Sequence, residues 1–277
     1  AQTAAKEAAL LNMVWWQAMI LGLVQGFTEF LPVSSSGHLI LVRELMGLNS
    51  SSAAQFNLMF DIMVHLGTLV AVLIVLYKDV ISLFRKPFKR LGMLIVASIP
   101  AVIVGFTCKD FIEKYFSTST YLCFFFLFTA VIMLISEILA KRNKDPKPLG
   151  WGGAVGMGMM QGLGVFPGVS RSGSTIFGGT VAGTNSRQVA TFSFLMSMPI
   201  ILGSLLLSVI DVAQSGALAS IDWFSVFIGA ASAFASGYFA VRVMLKLIAK
   251  ANFKWFSLYL VVIAVLTFSF YFIPAVR

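Results

Sequence analysis

The sequence predicts an all-α integral membrane protein: six transmembrane helices plus two re-entrant broken-helix segments, arranged as an inverted-topology repeat. Three observations lead there. Of the 277 residues, 58% are hydrophobic and only 11% charged, against about 25% charged in soluble domains. Apolar runs of about 20 residues, each long enough to cross a bilayer as a helix, recur along the chain. One polar-interrupted pattern occurs twice, at a fixed offset of 136 residues. Open strands are excluded at membrane depth, because their backbone groups would go unpaired.

In chain order, residues 1–12 lack the basic start and long apolar core of a signal peptide. They read as an N-terminal extension, either a short surface helix or an expression remnant. Residues 13–47 are apolar but interrupted by Gly, Pro and Ser. They are too broken for one clean helix and too short for two spans, so a re-entrant pair of half-helices fits better. Three crossings follow at about 58–77, 91–109 and 120–140. Residues 151–183 form a second interrupted stretch, and crossings at 189–211, 223–242 and 254–273 complete the chain. Residues 13–277 thus form one membrane domain of two repeats, about 13–140 and 149–277. Irregular backbone at membrane depth is tolerated only where it is buried in protein or lines a wet cavity.

Orientation follows from Lys and Arg. The connections Lys78–Arg90, Lys141–Lys147 and Arg242–Lys254 hold 5, 4 and 4 of them, and Arg187 joins that side. The opposite side holds Lys6, Arg43, Lys109, Lys114 and Arg277. By the positive-inside rule the first set is cytoplasmic, so the Gly47–Asn57 and Asp211–Asp222 connections lie outside. The first broken stretch then enters from the outer side, the second from the inner side. The net charge of +9 therefore belongs to membrane loops. No polar domain exists to gather it, so nucleic acid is not an expected partner.

Gly22–Gly37 and Gly158–Gly173 align without a gap, and 8 of 16 positions are identical: Gly22, Gln25, Gly26, Phe30, Val33, Ser34, Ser36 and Gly37. Shifting the first three crossings by the same 136 residues nearly reproduces the last three. Each unit is a broken helix plus three spans, and an odd number of crossings inverts the second copy. Such repeats place a functional site near the midplane, on their discontinuous helices.

Two matching loops, Pro32–His38 and Pro167–Thr175, carry the chemistry. Gln25 and Glu29 are four residues apart and share one helix face. Beyond them come Ser34, Ser35, Ser36 and His38; the second loop supplies Ser170, Arg171, Ser172 and Thr175. Ionisable groups inside a membrane are costly and usually functional. A bare Glu29–Arg171 ion pair is the plainer alternative, but it leaves His38 and the hydroxyls unexplained. The set suits phosphoryl transfer. Arg presents a planar fork to phosphate oxygens, half-helix N-termini favour anions, and a Ser beside a His can be an activated nucleophile. A carboxylate such as Glu29 can hold a divalent cation that bridges two phosphates. Acyl transfer would use Ser and His too, but gives no reason for a buried Arg.

These residues resemble the bacterial undecaprenyl-diphosphate phosphatases, also called bacitracin-resistance proteins. That family's first motif is an acidic or Gln residue, Glu four further on, then P-V-S-S-x-G-H. Here it stands as Gln25, Glu29 and Pro32-Val33-Ser34-Ser35-Ser36-Gly37-His38. The second, P-G-x-S-R-S-x-x-T, is Pro167-Gly168-Val169-Ser170-Arg171-Ser172-Gly173-Ser174-Thr175. The segments Phe60–Thr68 and Phe192–Leu195 also look like family sequence, and the resemblance runs from about Trp16 to the C-terminus. It implies hydrolysis of undecaprenyl diphosphate to the monophosphate and inorganic phosphate, recycling the carrier for cell-wall synthesis. It further implies Mg²⁺ or Ca²⁺ dependence, a bacterial plasma-membrane location and a site open to the outer face. By motif position Glu29 binds metal or positions water, with Gln25 as a second metal residue. His38 is the acid/base and Arg171 the diphosphate clamp. Ser34, Ser36, Ser170, Ser172 and Thr175 contact substrate. Ser35 is the expected nucleophile, with direct attack by water as the alternative. Some relatives have Glu where Gln25 stands.

Other polar groups carry plainer readings. His65, four residues after Asp61, is expected to make a packing hydrogen bond, with a supporting role near the site as the alternative. Glu137 reads as interfacial, and Cys108 and Cys123 as apolar filler. The Phe124–Phe126 run reads as lipid-facing or packing. The expected partners are the polyprenyl diphosphate and membrane lipids, and the sequence leaves monomer and homodimer open. The competing function is a transporter or lipid flippase without hydrolysis, since inverted repeats with broken helices serve transport as well.

Overall fold

The computed structural model describes residues 13–48, 54–116, 119–215, 221–250 and 252–272. The expected N-terminal extension, residues 49–53 of the Gly47–Asn57 connection and residues 216–220 of the Asp211–Asp222 connection lie outside the described residues. Among these the fold is all-helical, with one isolated bridge between Lys147 and Thr184. The helices are α1 (Trp15–Phe30), α2 (Ser35–Leu45), α3 (Ala54–Val75), α4 (Tyr77–Leu83), α5 (Lys89–Thr107) and α6 (Lys109–Phe116). After a short turn at Ser119–Tyr121 come α7 (Leu122–Arg142), α8 (Trp151–Leu163), α9 (Arg171–Val181), α10 (Ser186–Ser215), α11 (Trp223–Ala249) and α12 (Lys254–Phe272).

Among the described residues six stretches are long and apolar enough to cross a membrane: Asn57–Val75, Lys89–Thr107, Ser119–Arg142, Ser186–Ile210, Trp223–Ile248 and Lys254–Phe272. Each overlaps an expected crossing. The largest difference is at the end of α11, which continues past the expected 242. Its last turns carry Lys246, which suits a helix C-terminus, so nothing there stops the helix at the membrane boundary.

The two interrupted stretches each become two short helices. α1 and α2 have 16 and 11 residues, α8 and α9 have 13 and 11. At 1.5 Å per residue none reaches the roughly 30 Å of a bilayer core. Pro32 ends α1, because the residue before a proline is pushed out of the helical region, and Leu31 is extended at φ −71°, ψ 144°. Between α8 and α9 the chain turns through Pro167 and Gly168, the latter at φ +93°. Both second helices restart on a serine cap. The Gly37 amide donates to Ser34 Oγ at 3.3 Å and the Gly173 amide to Ser170 Oγ at 3.0 Å, each satisfying an orphan donor of the first turn. α2 and α9 have the same length and begin 136 residues apart.

Small residues let the broken helices lie close against full spans, as membrane helix pairs require. α1 packs on α11 and α8 packs on α5. A Cβ on Gly22 would stand 2.2 Å from the Gly229 carbonyl oxygen, and one on Gly158 would stand 2.6 Å from that of Ala97. α7 and α12 pack together, as do α3 and α10. Glu137 is buried and joins α7 to the start of α12: Lys141 Nζ donates to it at 2.6 Å and the Lys254 amide donates to its other oxygen. Cys108 and Cys123 are free thiols. In the Phe124–Phe126 run, Phe124 is exposed to the surroundings of the bundle and Phe126 is fully buried.

Candidate active site

The two interruptions meet. Ser172 Oγ donates to the Leu31 carbonyl at 2.9 Å, and the Gly168 amide reaches Ser36 Oγ at 3.5 Å. The second turn is held to the spans by Ser170 N–H donating to Thr129 Oγ1 at 3.2 Å and by a 2.6 Å bond between the Thr175 and Ser193 hydroxyls.

Glu29, at the end of α1, is the hub. Its Oε1 is paired with Arg171 at the start of α9. Its Oε2 accepts from Ser35 Oγ at 2.6 Å and from Gln25 Nε2 at 2.9 Å, and His65 Nε2 stands 3.8 Å from the same oxygen. The carboxylate is almost wholly enclosed, its side chain 4% exposed and that of Arg171 16%. Such a pair survives burial only with its remaining valences satisfied, which Ser35 and Gln25 do. The plain ion pair is therefore present, but it stands inside a larger polar set.

A cavity of about 310 Å³ opens over this set, lined by Glu29, Ser34, Ser35, Ser36, His65, Ser170 and Arg171. Hydroxyls and one guanidinium, donors suited to an anionic group, thus face one open space together with one carboxylate. Of the residues singled out from sequence, Gln25, His38, Ser172 and Thr175 do not line it. Gln25 is fully buried behind Glu29, and Ser172 and Thr175 tie the second turn to its neighbours. His38 does not reach Ser35: its Nδ1–H donates to the Ser34 carbonyl at 2.7 Å, and its Nε2 is 2.7 Å from the Tyr259 hydroxyl.

The lining also includes groups that the sequence did not single out for this site. Ile200, Ile201 and Ser204 of α10 form one wall. Nothing in an apolar span marks them in advance. His65 makes a local packing hydrogen bond, its Nδ1–H donating to the Asp61 carbonyl at 2.7 Å, while its other nitrogen faces Glu29. Asp61 does not pair with the imidazole; its carboxylate is held by Arg43.

Residues 18–266 match the sequence model of the family described as bacitracin resistance protein BacA. The chain is 41% identical over 252 residues to an undecaprenyl-diphosphatase of Carboxydothermus hydrogenoformans, covering 90% of this chain and 95% of that one. It is 37% identical over 254 residues to the undecaprenyl-diphosphatase of Halothermothrix orenii, covering 91% and 96%. It is 36% identical over 273 residues to that of Methanosphaera stadtmanae, covering 90% and 95%.

Proposed function

The chain belongs to the bacitracin resistance protein family, and from that membership and the chemistry of the pocket we infer that it hydrolyses undecaprenyl diphosphate. The products are undecaprenyl phosphate and inorganic phosphate, so the protein is a multi-pass membrane phosphatase of the cell-wall lipid cycle. The family is also associated with bacitracin resistance. The observation that carries the reading is the junction of Arg171 with Glu29 and Ser35 over one cavity, built from two broken helices.

The following roles are supported by that geometry. Arg171 grips oxygens of the diphosphate, because its planar fork fits them bidentately. Ser34, Ser36 and Ser170 offer further donors from the cavity wall. Ser35 attacks the terminal phosphorus. Its hydroxyl already donates to Glu29 Oε2 at 2.6 Å, so the carboxylate is placed to take the proton as the Ser35 Oγ–P bond forms. The bond from that phosphorus to the bridging oxygen breaks, and its electron pair leaves with undecaprenyl phosphate. Water then attacks the phosphoserine, frees inorganic phosphate and restores the serine hydroxyl. Developing charge on the equatorial oxygens faces donors already fixed on the cavity wall, which need no reorganisation as the charge forms.

A divalent cation fits this set. Glu29 is an acidic group on the cavity wall, and the buried Oε1 of neighbouring Gln25 has no hydrogen-bond partner. Hard oxygens of this kind, with phosphate oxygens, suit Mg²⁺ or Ca²⁺. Glu29 would hold it from the cavity wall, with Gln25 supporting that carboxylate from behind through its 2.9 Å bond, and when bound it would offset the charge on the two phosphates.

We read the two halves as inverted copies whose broken helices are re-entrant, with the pocket open to the outer face of the bacterial plasma membrane. Support comes from a serine cap at the start of each second helix, the 136-residue spacing of α2 and α9, and the reciprocal packing of α1 on α11 and α8 on α5. The test is the purified protein with undecaprenyl diphosphate, in detergent and in sealed vesicles. Release of inorganic phosphate in detergent is expected. Lipid movement across vesicles without phosphate release would instead make the protein a transporter.

A further inference from the structure

We propose that His38 and Tyr259 form a brace that holds the Ser34–Ser35 turn in place, so that His38 is a positioning residue acting through the backbone. The inference rests on the reading of Ser35 as the attacking hydroxyl.

Ser34 has φ +70° and ψ 95°. It is one of two non-glycine residues with positive φ among those described, the other being Phe88. A Cβ makes this region unfavourable, and such a conformation persists only where its surroundings hold it. His38 supplies a direct hold: its Nδ1–H donates to the Ser34 carbonyl at 2.7 Å. A carbonyl only accepts, so Nδ1 carries a proton, and Nε2 is hydrogen-bonded to the Tyr259 hydroxyl at 2.7 Å. The tyrosine ring stacks on the imidazole at an interplanar angle of 9°, and the Phe126 ring meets it edge-on at 5.3 Å between centroids. Both ring nitrogens are engaged, the residue is 8% exposed, and it is absent from the cavity wall. The chain of contacts runs from α12 through the imidazole to the Ser34 carbonyl, and the next residue is Ser35.

The second turn provides an internal comparison. Ser170, the counterpart of Ser34, has an ordinary φ of −75°. At the same offset of 136 the counterpart of His38 is Ser174 and that of Tyr259 is Cys123. The turn with the strained serine has the brace, and the relaxed turn has neither part of it. Ser170 also has no attacking hydroxyl to aim, since Arg171 follows it.

The experiment measures kcat and KM for undecaprenyl diphosphate with Tyr259→Phe, His38→Asn and His38→Ala, purified in detergent and checked for folding by thermal unfolding. Phenylalanine keeps the stacking and loses the hydroxyl. Asparagine places an amide N–H where Nδ1–H was, with no group that shuttles protons. Misplacement of a reacting group by about 1 Å can cost about 100-fold. The brace therefore requires Tyr259→Phe to lose about tenfold or more in kcat, with KM little changed because Arg171 still grips the phosphates. It also requires His38→Asn to retain clearly more turnover than His38→Ala. Parent-level kcat in Tyr259→Phe, or an asparagine variant no better than the alanine one, overturns the proposal. If Tyr259→Phe does not fold, the asparagine–alanine comparison decides alone. Ser35→Ala, assayed alongside, judges the nucleophile separately: parent-level turnover there removes the role of Ser35, whatever the brace variants show.

Discussion

Arg171 and Glu29 divide one task between a permanent cation and a carboxylate. Lysine in place of Arg171 keeps the charge and loses the bidentate fork. Turnover is expected to fall substantially in Arg171→Lys and almost wholly in Arg171→Ala, measured as phosphate release by folded protein. In the proposed mechanism Glu29→Gln removes both the proton acceptor for Ser35 and a hard oxygen for a cation. A loss of roughly 100-fold or more in kcat is expected, with a blunted response to added Mg²⁺ or Ca²⁺. Parent-level rate and metal response would leave Glu29 as a structural partner of Arg171 only. The identity of these residues was legible from sequence because an acid, an Arg and serines are conspicuous in apolar surroundings. Their wiring was not. The His38–Tyr259 contact joins residues 221 positions apart, and no local pattern encodes it. The i, i+4 spacing of Asp61 and His65 makes a local hydrogen bond legible, but the approach of the second nitrogen to Glu29 is not, because it depends on α3 passing the end of α1.

At the scale of the element, the half-helices hold position through close backbone contact. A Cβ on Gly26 would lie 2.0 Å from Ser236 Oγ and 2.4 Å from the Ala233 carbonyl oxygen. Neither the helix backbone nor a buried serine can yield that much without α1 moving off α11. Gly26→Ala is expected to cost about 1–3 kcal/mol, the usual range for overpacking, seen as a lower unfolding temperature in detergent. Gly203 on α10 is the control, since nothing lies within 4 Å of its added Cβ. Gly203→Ala is expected to leave the unfolding temperature unchanged or raise it, because alanine is the better helix former. Equal destabilisation by both would mean that the close approach of α1 to α11 is not what Gly26 serves. The spans themselves were readable from hydropathy to within a few residues. The half-helix pairings were not, because Gly is as compatible with a turn as with a tight helix contact until the partner is known.

For the molecule as a whole, sidedness and catalysis are separable. With Cys108 and Cys123 replaced by alanine, Lys144→Cys is expected to react with a membrane-impermeant thiol reagent only in inverted vesicles. Leu45→Cys, at the well-exposed end of α2, is expected to react in intact cells; the opposite pattern would reverse the orientation drawn from the Lys and Arg count. The repeat was visible in the sequence because eight shared positions survive in the two interrupted stretches. The asymmetry between the loops was hidden, since it lies in one backbone angle and one distant tyrosine. The most direct measurement is the rate of inorganic phosphate release from undecaprenyl diphosphate by purified protein, comparing the parent with Ser35→Ala and Arg171→Ala, each shown to be folded. One residue comes from each broken helix. The expected result is steady release by the parent and a loss of at least about 100-fold in each variant. Parent-level release by either variant would contradict an active site assembled from both turns.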